Sequence, residues 1–272
     1  MSHEVRDLAS RMRLDRRVAL VTGAGAGIGE AIACTLATQG AFVSVLDIDV
    51  AAAQRTADKI VCQGGQALAL ACDVANAEHV AAAVNAVVSQ TSGLDLVINS
   101  AGVASPPGMP FTNNSDVDWD RALAINLKGA LHVCQSARDW LLRSEQGRIV
   151  NIASITGVIS AAYMPPYSVS KAALISLSKV LARELAPQHV CVNAVCPGFI
   201  WTPLWAQLGE VMASHARQGT GPTVFDERVR QHVPMQRAQT AQDVADLVAF
   251  LCSGAAANIT GQVMGVDGGV TI

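Results

Sequence analysis

A short apolar run, a glycine-rich turn and a helical pattern follow one another near the start of the chain. Residues 17–22 read Arg-Val-Ala-Leu-Val-Thr, residues 23–29 contain four glycines, and a helical pattern runs from Glu30 to Thr38. Glycine permits positive φ angles and lets a pyrophosphate approach the backbone, while a helix N-terminus contributes free N–H groups. The segment therefore predicts a strand, a phosphate-binding turn and a helix, with a plain tight turn as the alternative.

An acidic residue ends the next apolar run. Asp47 follows Ala41 to Leu46 and stands eighteen residues after Gly29, close to the ~20 residues expected before an acid that binds ribose hydroxyls. A carboxylate here repels a 2′-phosphate, Ile48 follows it, and the turn carries Ala26 instead of a basic residue. This pattern favours NAD over NADP; the alternative is that Asp47 only caps a helix.

Strands and helices alternate through most of the chain. The further predicted strands are residues 67–71, 94–98, 148–153, 190–195 and 262–266, and the further predicted helices are 51–62, 77–89, 116–143, 165–186 and 240–252. Such alternation predicts an α/β fold with a doubly wound parallel sheet of about seven strands and helices on both faces.

Two segments lie outside this alternation. Residues 1–16 form a polar extension, with a short helix expected around Val5, Leu8 and Met12, which we expect to be a subunit contact or a loose arm. Residues 199–237 are long for a connection and predict a substrate lid. Trp201 and Trp205 in this lid are expected either to face the substrate or to be packing or subunit-contact residues. Residues 17–272 are expected to form a single domain.

Composition excludes several classes of function. The net charge of -3 gives no sign of a basic nucleic-acid-binding face, and polar residues break every apolar stretch before ~18 residues. Seven scattered cysteines without a C-x-x-C pair indicate neither a disulfide framework nor a zinc site, so no metal is predicted. We expect a cytoplasmic protein whose partner is a small-molecule substrate, with no nucleic acid and no membrane.

Small and polar residues follow two other predicted strands. Asn99-Ser100-Ala101-Gly102 follows the fourth strand, at the carboxyl edge where parallel sheets bind ligands, and its small side chains leave room for a ribose. Asp73-Val74 follows the third strand. Asp73 either caps the next helix or contacts an adenine amine.

A tyrosine and a lysine stand four residues apart at the start of a predicted helix. Pro165 and Pro166 precede Tyr167, and Lys171 lies on the same helical face. An ammonium group beside a phenol lowers its pKa and favours general-base chemistry. Ser154, at the end of the fifth strand, would hold the oxygen that loses its proton. On its own the spacing also fits a surface tyrosine and a solvated lysine.

Taken together, these segments resemble the short-chain dehydrogenase/reductase family. The resemblance spans about Arg17 to Gly269 and is carried by the following motifs: Thr22-Gly23-Ala24-Gly25-Ala26-Gly27-Ile28-Gly29, Asn99-Ser100-Ala101-Gly102, Asn126, Ser154, Tyr167-x-x-x-Lys171, Pro197-Gly198, and Gly261-Gln262 through Asp267-Gly268-Gly269. Ser100 departs from the second asparagine that the family usually has. The resemblance implies a Rossmann-type sheet, hydride transfer with a nicotinamide cofactor, and a homotetramer.

The resemblance also assigns roles to residues. Tyr167 would be the general acid/base, Ser154 would orient the substrate oxygen, Lys171 would hold the nicotinamide ribose, and Asn126 would anchor a water that links Lys171 to solvent. Asn126 is otherwise unexplained within an apolar helix. The implied cofactor-binding residues are Gly23, Gly25, Ala26, Gly27, Ile28, Gly29, Asp47, Ile48, Asp73, Val74, Asn99, Ala101, Gly102, Tyr167, Lys171, Pro197, Gly198, Ile200 and Thr202.

Three functions remain in competition. The leading hypothesis is an NAD-dependent oxidoreductase that interconverts a secondary alcohol and a ketone, with a small polyol, hydroxy acid or sugar-like substrate. A 3-oxoacyl-thioester (acyl carrier protein) reductase is the alternative, but NADPH is its usual cofactor and Asp47 argues against it. A non-catalytic NAD-binding regulator would have lost part of the tetrad, whereas all four positions are filled here.

Overall fold

A single seven-stranded parallel sheet forms the centre of the molecule. The computed structural model describes residues 7–106, 111–216 and 219–272, without the side chains of 215 and 216. The strands are β1 (Val18–Thr22), β2 (Phe42–Asp47), β3 (Gln66–Ala71), β4 (Leu96–Asn99), β5 (Arg148–Ile152), β6 (Cys191–Pro197) and β7 (Val263–Val266). Their spatial order is β3-β2-β1-β4-β5-β6-β7, which confirms the predicted doubly wound α/β fold.

Helices cover both faces of this sheet. They are α1 (Leu8–Met12), α2 (Gly27–Thr38), α3 (Val50–Cys62), α4 (Ala77–Thr91), α5 (Asp116–Leu123), α6 (Ala130–Arg143), α7 (Thr156–Ile159), α8 (Pro165–Leu185), α9 (Pro203–Ala216), α10 (Gly221–His232) and α11 (Ala241–Cys252). α2, α3 and α11 bury their apolar side chains in a core on one face, and α4, α6 and α8 bury theirs on the other. Burial on both faces explains why the strands read as continuous apolar runs.

The order of the strands reverses between β1 and β4. The two strands are direct neighbours, with Thr22 paired to Asn99, and β5 continues the sheet with Asn151 paired to Asn99. At such a switch point the loops after the two strands diverge and leave a crevice at the carboxyl edge of the sheet. The segments after β1 to β6 all reach this edge, and most of the predicted site residues lie in them.

The predicted long helix over residues 116–143 is interrupted. α5 ends at Leu123, a π-helical segment covers Ala124–Gly129, and α6 continues from Ala130. A π-turn inserts an extra residue into a helix and occurs frequently at functional sites. Asn126 lies within this segment, so the residue that looked anomalous in the sequence coincides with the irregularity in the backbone.

Residues 199–237 contain two helices instead of an irregular loop. α9 and α10 pack against each other through a small apolar core that includes Trp205, Leu208 and Phe225. Trp205 is buried, whereas Trp201 is 44% exposed and contacts the Phe225 ring edge-on at 5.1 Å. The proposed lid is therefore a packed helical unit, and both tryptophans take part in its aromatic packing.

The described part of the N-terminal extension packs on the domain. Leu14 is only 1% exposed within the core, and the Arg11 Nη2 donates to the Gly254 carbonyl at 3.1 Å. Leu8 and Met12 lie in the short helix α1, as predicted, whereas Val5 lies outside the described residues. From residue 8 onward the extension is attached to its own subunit and is not a loose arm.

Across residues 7–106, 111–216 and 219–272, no helix is both long and apolar enough to cross a membrane. In the same part of the chain, no three or more His, Cys, Asp or Glu side chains are grouped as a metal site would require.

Candidate active site

A cavity of about 580 Å³ opens at the carboxyl edge of the sheet, over the switch point. Most of the predicted site residues line it: Gly23, Ala26, Gly27, Ile28, Gly29, Asp47, Ile48, Asp73, Val74, Ala101, Gly102, Ser154, Tyr167, Lys171, Pro197, Gly198, Ile200 and Thr202. Gly25, Asn99 and Asn126 are predicted residues that do not line it. The fold therefore brings eighteen of the twenty-one predicted site residues to one cavity.

Steric contacts explain the glycines after β1. Gly23 and Gly27 have φ angles of 63° and 62°, which favour glycine. A Cβ on Gly29 would collide with the Gly23 carbonyl oxygen, so this glycine allows the start of α2 to approach the turn. The backbone of the turn thus faces the cavity beside the first turn of a helix, an arrangement that suits a pyrophosphate.

Asp47 lies at the end of β2 and binds the glycine turn. Its Oδ2 accepts a hydrogen bond from Gly25 N at 2.9 Å, and its Oδ1 accepts one from Asp49 N at 3.0 Å. Gly25 contributes to the site through this contact, since a Cβ there would meet Asp47 Oδ2 at 2.8 Å. The cap of α3 is Asp49, whose Oδ1 accepts from Ala51 N and Ala52 N. The helix-cap alternative for Asp47 is therefore wrong, and its carboxylate is left at the cavity wall.

The structure also resolves the choice left open for Asp73. The side chain of Asn76 caps α4 by accepting from the N–H groups of Glu78 and His79. Asp73 Oδ1 accepts from Ala75 N at 2.9 Å within a turn, and the residue lines the cavity beside Val74. Asp73 is thus not the helix cap, and its position is compatible with contact to an adenine.

Asn99 points into the sheet and not into the cavity. Its Nδ2 donates to Asn151 Oδ1 at 2.8 Å, and Asn151 Nδ2 donates to Ser178 Oγ at 2.8 Å. All three side chains are buried. This hydrogen-bond network ties β4 to β5 and α8, so Asn99 supports the loop that places Ala101 and Gly102 at the cavity. In this geometry the Asn99 side chain does not contact a cofactor bound in the cavity.

Asn126 holds the loop that follows β4. Its Oδ1 accepts from Val103 N at 2.8 Å, and its Nδ2 donates to Val103 O at 3.0 Å and to Ser170 Oγ at 2.9 Å. Ser170 is the neighbour of Lys171 in α8. The side chain of Asn126 thus joins the π-helical segment, the cavity loop and α8, while the water link to Lys171 remains a prediction.

Ser154, Tyr167 and Lys171 form one wall of the cavity. The Lys171 Nζ donates to Ile152 O at 2.8 Å and lies 5.7 Å from the centroid of the Tyr167 ring. Ser154 is buried and its Oγ accepts from Thr156 N at 3.2 Å and from Thr156 Oγ1 at 3.1 Å. Because two donors orient the Ser154 oxygen, its own proton is free to point toward a substrate.

Burial dominates the titration of the tyrosine and the lysine. It raises the pKa of Tyr167 to about 12, with the Ser154 hydroxyl acting in the opposite direction, and it lowers the pKa of Lys171 to about 8. The expectation that the lysine brings the tyrosine pKa down is therefore not met in this structure. The physical reason is desolvation, which disfavours both the phenolate and the ammonium ion.

Sequence reasoning missed the side chains that complete the cavity. Thr156 begins α7 and donates to Ser154, but no sequence motif indicates this contact. Lining residues that were not predicted include Val103, Arg121, Ile125, Ile155, Tyr163, Met164, Phe199, Leu204 and Leu208, whereas Trp205 was one of the two tryptophans expected to face the substrate or serve packing. The spacing of Leu204, Trp205 and Leu208 is that of one helical face, which is the signal that would have indicated α9 as a wall.

Comparison with known proteins identifies the family. A family model described as enoyl-(acyl carrier protein) reductase matches residues 23–271. The D-threitol dehydrogenase of Mycolicibacterium smegmatis is 36% identical over 260 residues, covering 96% of this chain and 95% of the relative. The 3-oxoacyl-(acyl-carrier-protein) reductase FabG of Aquifex aeolicus is 34% identical, covering 95% of this chain and 99% of the relative.

Solved structures give the same result. A 7α-hydroxysteroid dehydrogenase complexed with NADH and 7-oxo glycochenodeoxycholic acid has a TM-score of 0.86 and 33% sequence identity, with 97% of this chain and 98% of that chain covered. The similarity thus extends over both the sheet and the cavity. The chain belongs to the short-chain dehydrogenase/reductase family and is an oxidoreductase that acts on CH–OH groups with a nicotinamide cofactor.

Proposed function

We propose that this protein interconverts a secondary alcohol and a ketone with NAD, using Tyr167 as the general acid/base. The observation that supports this most directly is the common cavity. Ser154, Tyr167 and Lys171 line one wall of it, and the glycine turn and Asp47 line another. A hydride acceptor and a proton acceptor would then lie on either side of one carbinol carbon.

The residues of the chain divide the proton chemistry among them. In the oxidation direction Tyr167 Oη takes the hydroxyl proton, while Ser154 Oγ holds the substrate oxygen. Bound NAD would accept the hydride, so the C–H and O–H bonds break and a C=O bond and NADH form. Lys171 binds the nicotinamide ribose, and its Nζ lies 5.7 Å from the centroid of the Tyr167 ring, on the same wall of the cavity.

The preference for NAD is proposed from the adenosine end of the cavity. Asp47 has both carboxylate oxygens held by backbone N–H groups, which fixes a negative charge there. Ile48 beside it is 73% exposed and apolar. A 2′-phosphate would meet this carboxylate instead of an arginine. Pro197, Gly198, Ile200 and Thr202 line the opposite end, where the nicotinamide carboxamide is expected.

Two titrations test the cofactor proposal. NADH should bind more tightly than NADPH, and Asp47→Ala should reduce that ratio by about tenfold or more, since it removes the repulsion of the 2′-phosphate. Asp49→Ala is a suitable control because it removes a carboxylate two residues away that only caps α3. Tighter NADPH binding by the wild type would contradict the assignment of Asp47.

Reduction of a 3-oxoacyl thioester is the second candidate. It is supported by the 34% identity to the Aquifex aeolicus 3-oxoacyl-(acyl-carrier-protein) reductase and by the description of the matching family model. Asp47 argues against this reaction, because NADPH is its usual cofactor and the Asp47 carboxylate repels the 2′-phosphate of NADPH. A panel of secondary alcohols and 3-oxoacyl thioesters, followed by NADH absorbance, distinguishes the two. A non-catalytic regulator would turn over neither class.

We further propose a homotetramer in the cytoplasm. The long helix α8 exposes Val169 at 48% and Val180 at 56%, which supports its use as a subunit contact. All seven cysteines are free thiols, which is typical of a reducing compartment.

A further inference from the structure

The ring of Tyr167 packs against an apolar cluster that the catalytic chemistry does not use. This cluster, here called the apolar wall, consists of Ile155, Met164, Phe199, Trp205 and Leu208, which are each at most 9% exposed and all line the cavity. Tyr167 and Tyr163 pack on it as partly buried neighbours. A substrate whose oxygen reaches Tyr167 and Ser154 must therefore place its carbon skeleton against the wall.

Few charged side chains line the cavity, and none belongs to the apolar wall. Among the described lining residues they are Asp47, Asp73, Arg121 and Lys171. The two aspartates follow β2 and β3, at the adenosine end, and Arg121 lies in α5. Lys171 lies beside Tyr167, and its Nζ donates to Ile152 O.

Few hydroxyl groups lie near the wall. Ser154 and Tyr167 would hold the reacting oxygen, and the Thr156 hydroxyl donates to Ser154. Thr202, whose Oγ1 accepts from Trp205 N at 3.3 Å, lies beside Gly27 of the glycine turn. Tyr163 retains its hydroxyl, while the Arg228 guanidinium lies over its ring at 5.7 Å. A polyol would leave several hydroxyls facing hydrocarbon, and each unpaired buried hydroxyl is costly.

Resting on the proposed function, we propose that the substrate is a secondary alcohol or ketone with an apolar, cyclic or branched hydrocarbon body. The hydrocarbon skeleton packs on the apolar wall. The Tyr163 hydroxyl can form a hydrogen bond with at most one further oxygen atom of the substrate, close to the reacting carbon. This narrows the expected substrates away from polyols and sugars, because the described residues that face the skeleton offer hydrocarbon and aromatic rings.

Cyclohexanol and D-threitol are the probes that test this proposal, since both contain secondary hydroxyls and differ in the polarity of the skeleton. Binding to the protein with NADH present is measured by calorimetry, and NAD-dependent oxidation is measured by NADH absorbance. We expect cyclohexanol to be favoured by about tenfold or more in both affinity and kcat/KM. Equal or tighter binding of threitol, or no detectable binding of cyclohexanol, overturns the proposal.

Variants locate the effect at the wall. Leu208→Asn should weaken cyclohexanol binding by about tenfold and leave NADH affinity unchanged. Leu204→Asn, at a partly exposed lining position, supplies the same test should the buried substitution unfold the protein. Val211→Asn lies on the same helix, is 38% exposed and is the matched control.

The binding and oxidation measurements distinguish the proposed function from the proposed substrate class. If cyclohexanol binds preferentially but neither alcohol is oxidised, the proposed function fails and the apolar wall stands. If threitol is oxidised and preferred, the proposed function stands and the apolar substrate class is wrong. Loss of cyclohexanol binding in Val211→Asn as large as that in Leu208→Asn also overturns the role of the wall.

Discussion

Lys171 places an ammonium group in the protein interior, where it is 3% exposed and donates to Ile152 O. Its pKa falls from 10.5 to about 8 because burial disfavours the charged form. A depressed lysine pKa means that the folded state binds the proton less well than the unfolded state does. The charged lysine thus destabilises the fold fully below pH ~8, and the cost disappears as the pH rises toward ~10.5.

Lys171→Met is therefore expected to stabilise the protein while removing its activity. The gain in the free energy of unfolding should be on the order of 3 kcal/mol at pH 7, less the lost hydrogen bond, and should shrink toward pH 10. Denaturant titrations of both proteins at the two pH values measure it, and the difference between the proteins cancels the titration of other groups. If Lys171→Met is less stable than the wild type at pH 7, the buried ammonium group does not destabilise the fold as proposed.

The raised pKa of Tyr167 predicts an asymmetry between the two directions of the reaction. Oxidation needs the phenolate, whose fraction is small at neutral pH when the pKa is about 12, whereas reduction needs the protonated phenol. We expect kcat/KM for alcohol oxidation to rise from about pH 6 to pH 9 and that for ketone reduction to stay nearly flat. Identical pH profiles in the two directions would show that Tyr167 is not the titrating group.

Elements of this fold are largely readable from the alternation of apolar runs and helical patterns. That alternation predicted the parallel sheet and placed the strand ends to within about two residues, because parallel strands buried on both faces leave a strong apolar signal. It missed the π-helical segment at Ala124–Gly129, since one inserted residue hardly alters the apolar spacing of a long helix. It also could not decide whether Asp47 caps a helix, because that depends on the direction in which the carboxylate points.

Contacts between residues of distant segments could not be predicted from the sequence either. Thr156 orients Ser154, and the apolar wall joins the segment after β5 to α9, but neither contact leaves a motif. Only the folded arrangement of these elements shows that they meet. Motifs therefore predicted most of the residues that line the cavity, while the surroundings of the substrate required the structure.

The approach of α2 to the glycine turn is testable at Gly29. An alanine Cβ there would collide with the Gly23 carbonyl, a backbone group that cannot move aside easily. We expect Gly29→Ala to destabilise the protein by about 1–3 kcal/mol and to weaken NADH binding. Gly93→Ala is the control, because a Cβ at Gly93 meets nothing within 4 Å. Equal thermal stability of the two variants would contradict the close packing.

The subunits are proposed to assemble through α8. The proposed homotetramer should appear as a species of four times 28.3 kDa by light scattering. Val180→Glu on α8 should dissociate it, because a buried unpaired charge destabilises an interface. Val61→Glu on α3 is a matched control, since both valines are 56% exposed in the subunit. Dissociation by Val61→Glu alone would place the interface elsewhere.

The proposed proton chemistry depends on the phenol of Tyr167, and the chain has only two tyrosines. The most direct test is therefore the rate of NAD-dependent oxidation of cyclohexanol by Tyr167→Phe beside Tyr163→Phe, with NADH affinity measured on both. We expect Tyr167→Phe to lose about 10²–10⁴-fold in kcat while its NADH affinity stays within about twofold, and Tyr163→Phe to keep most of its turnover. Substantial turnover by Tyr167→Phe would contradict its assignment as the general acid/base.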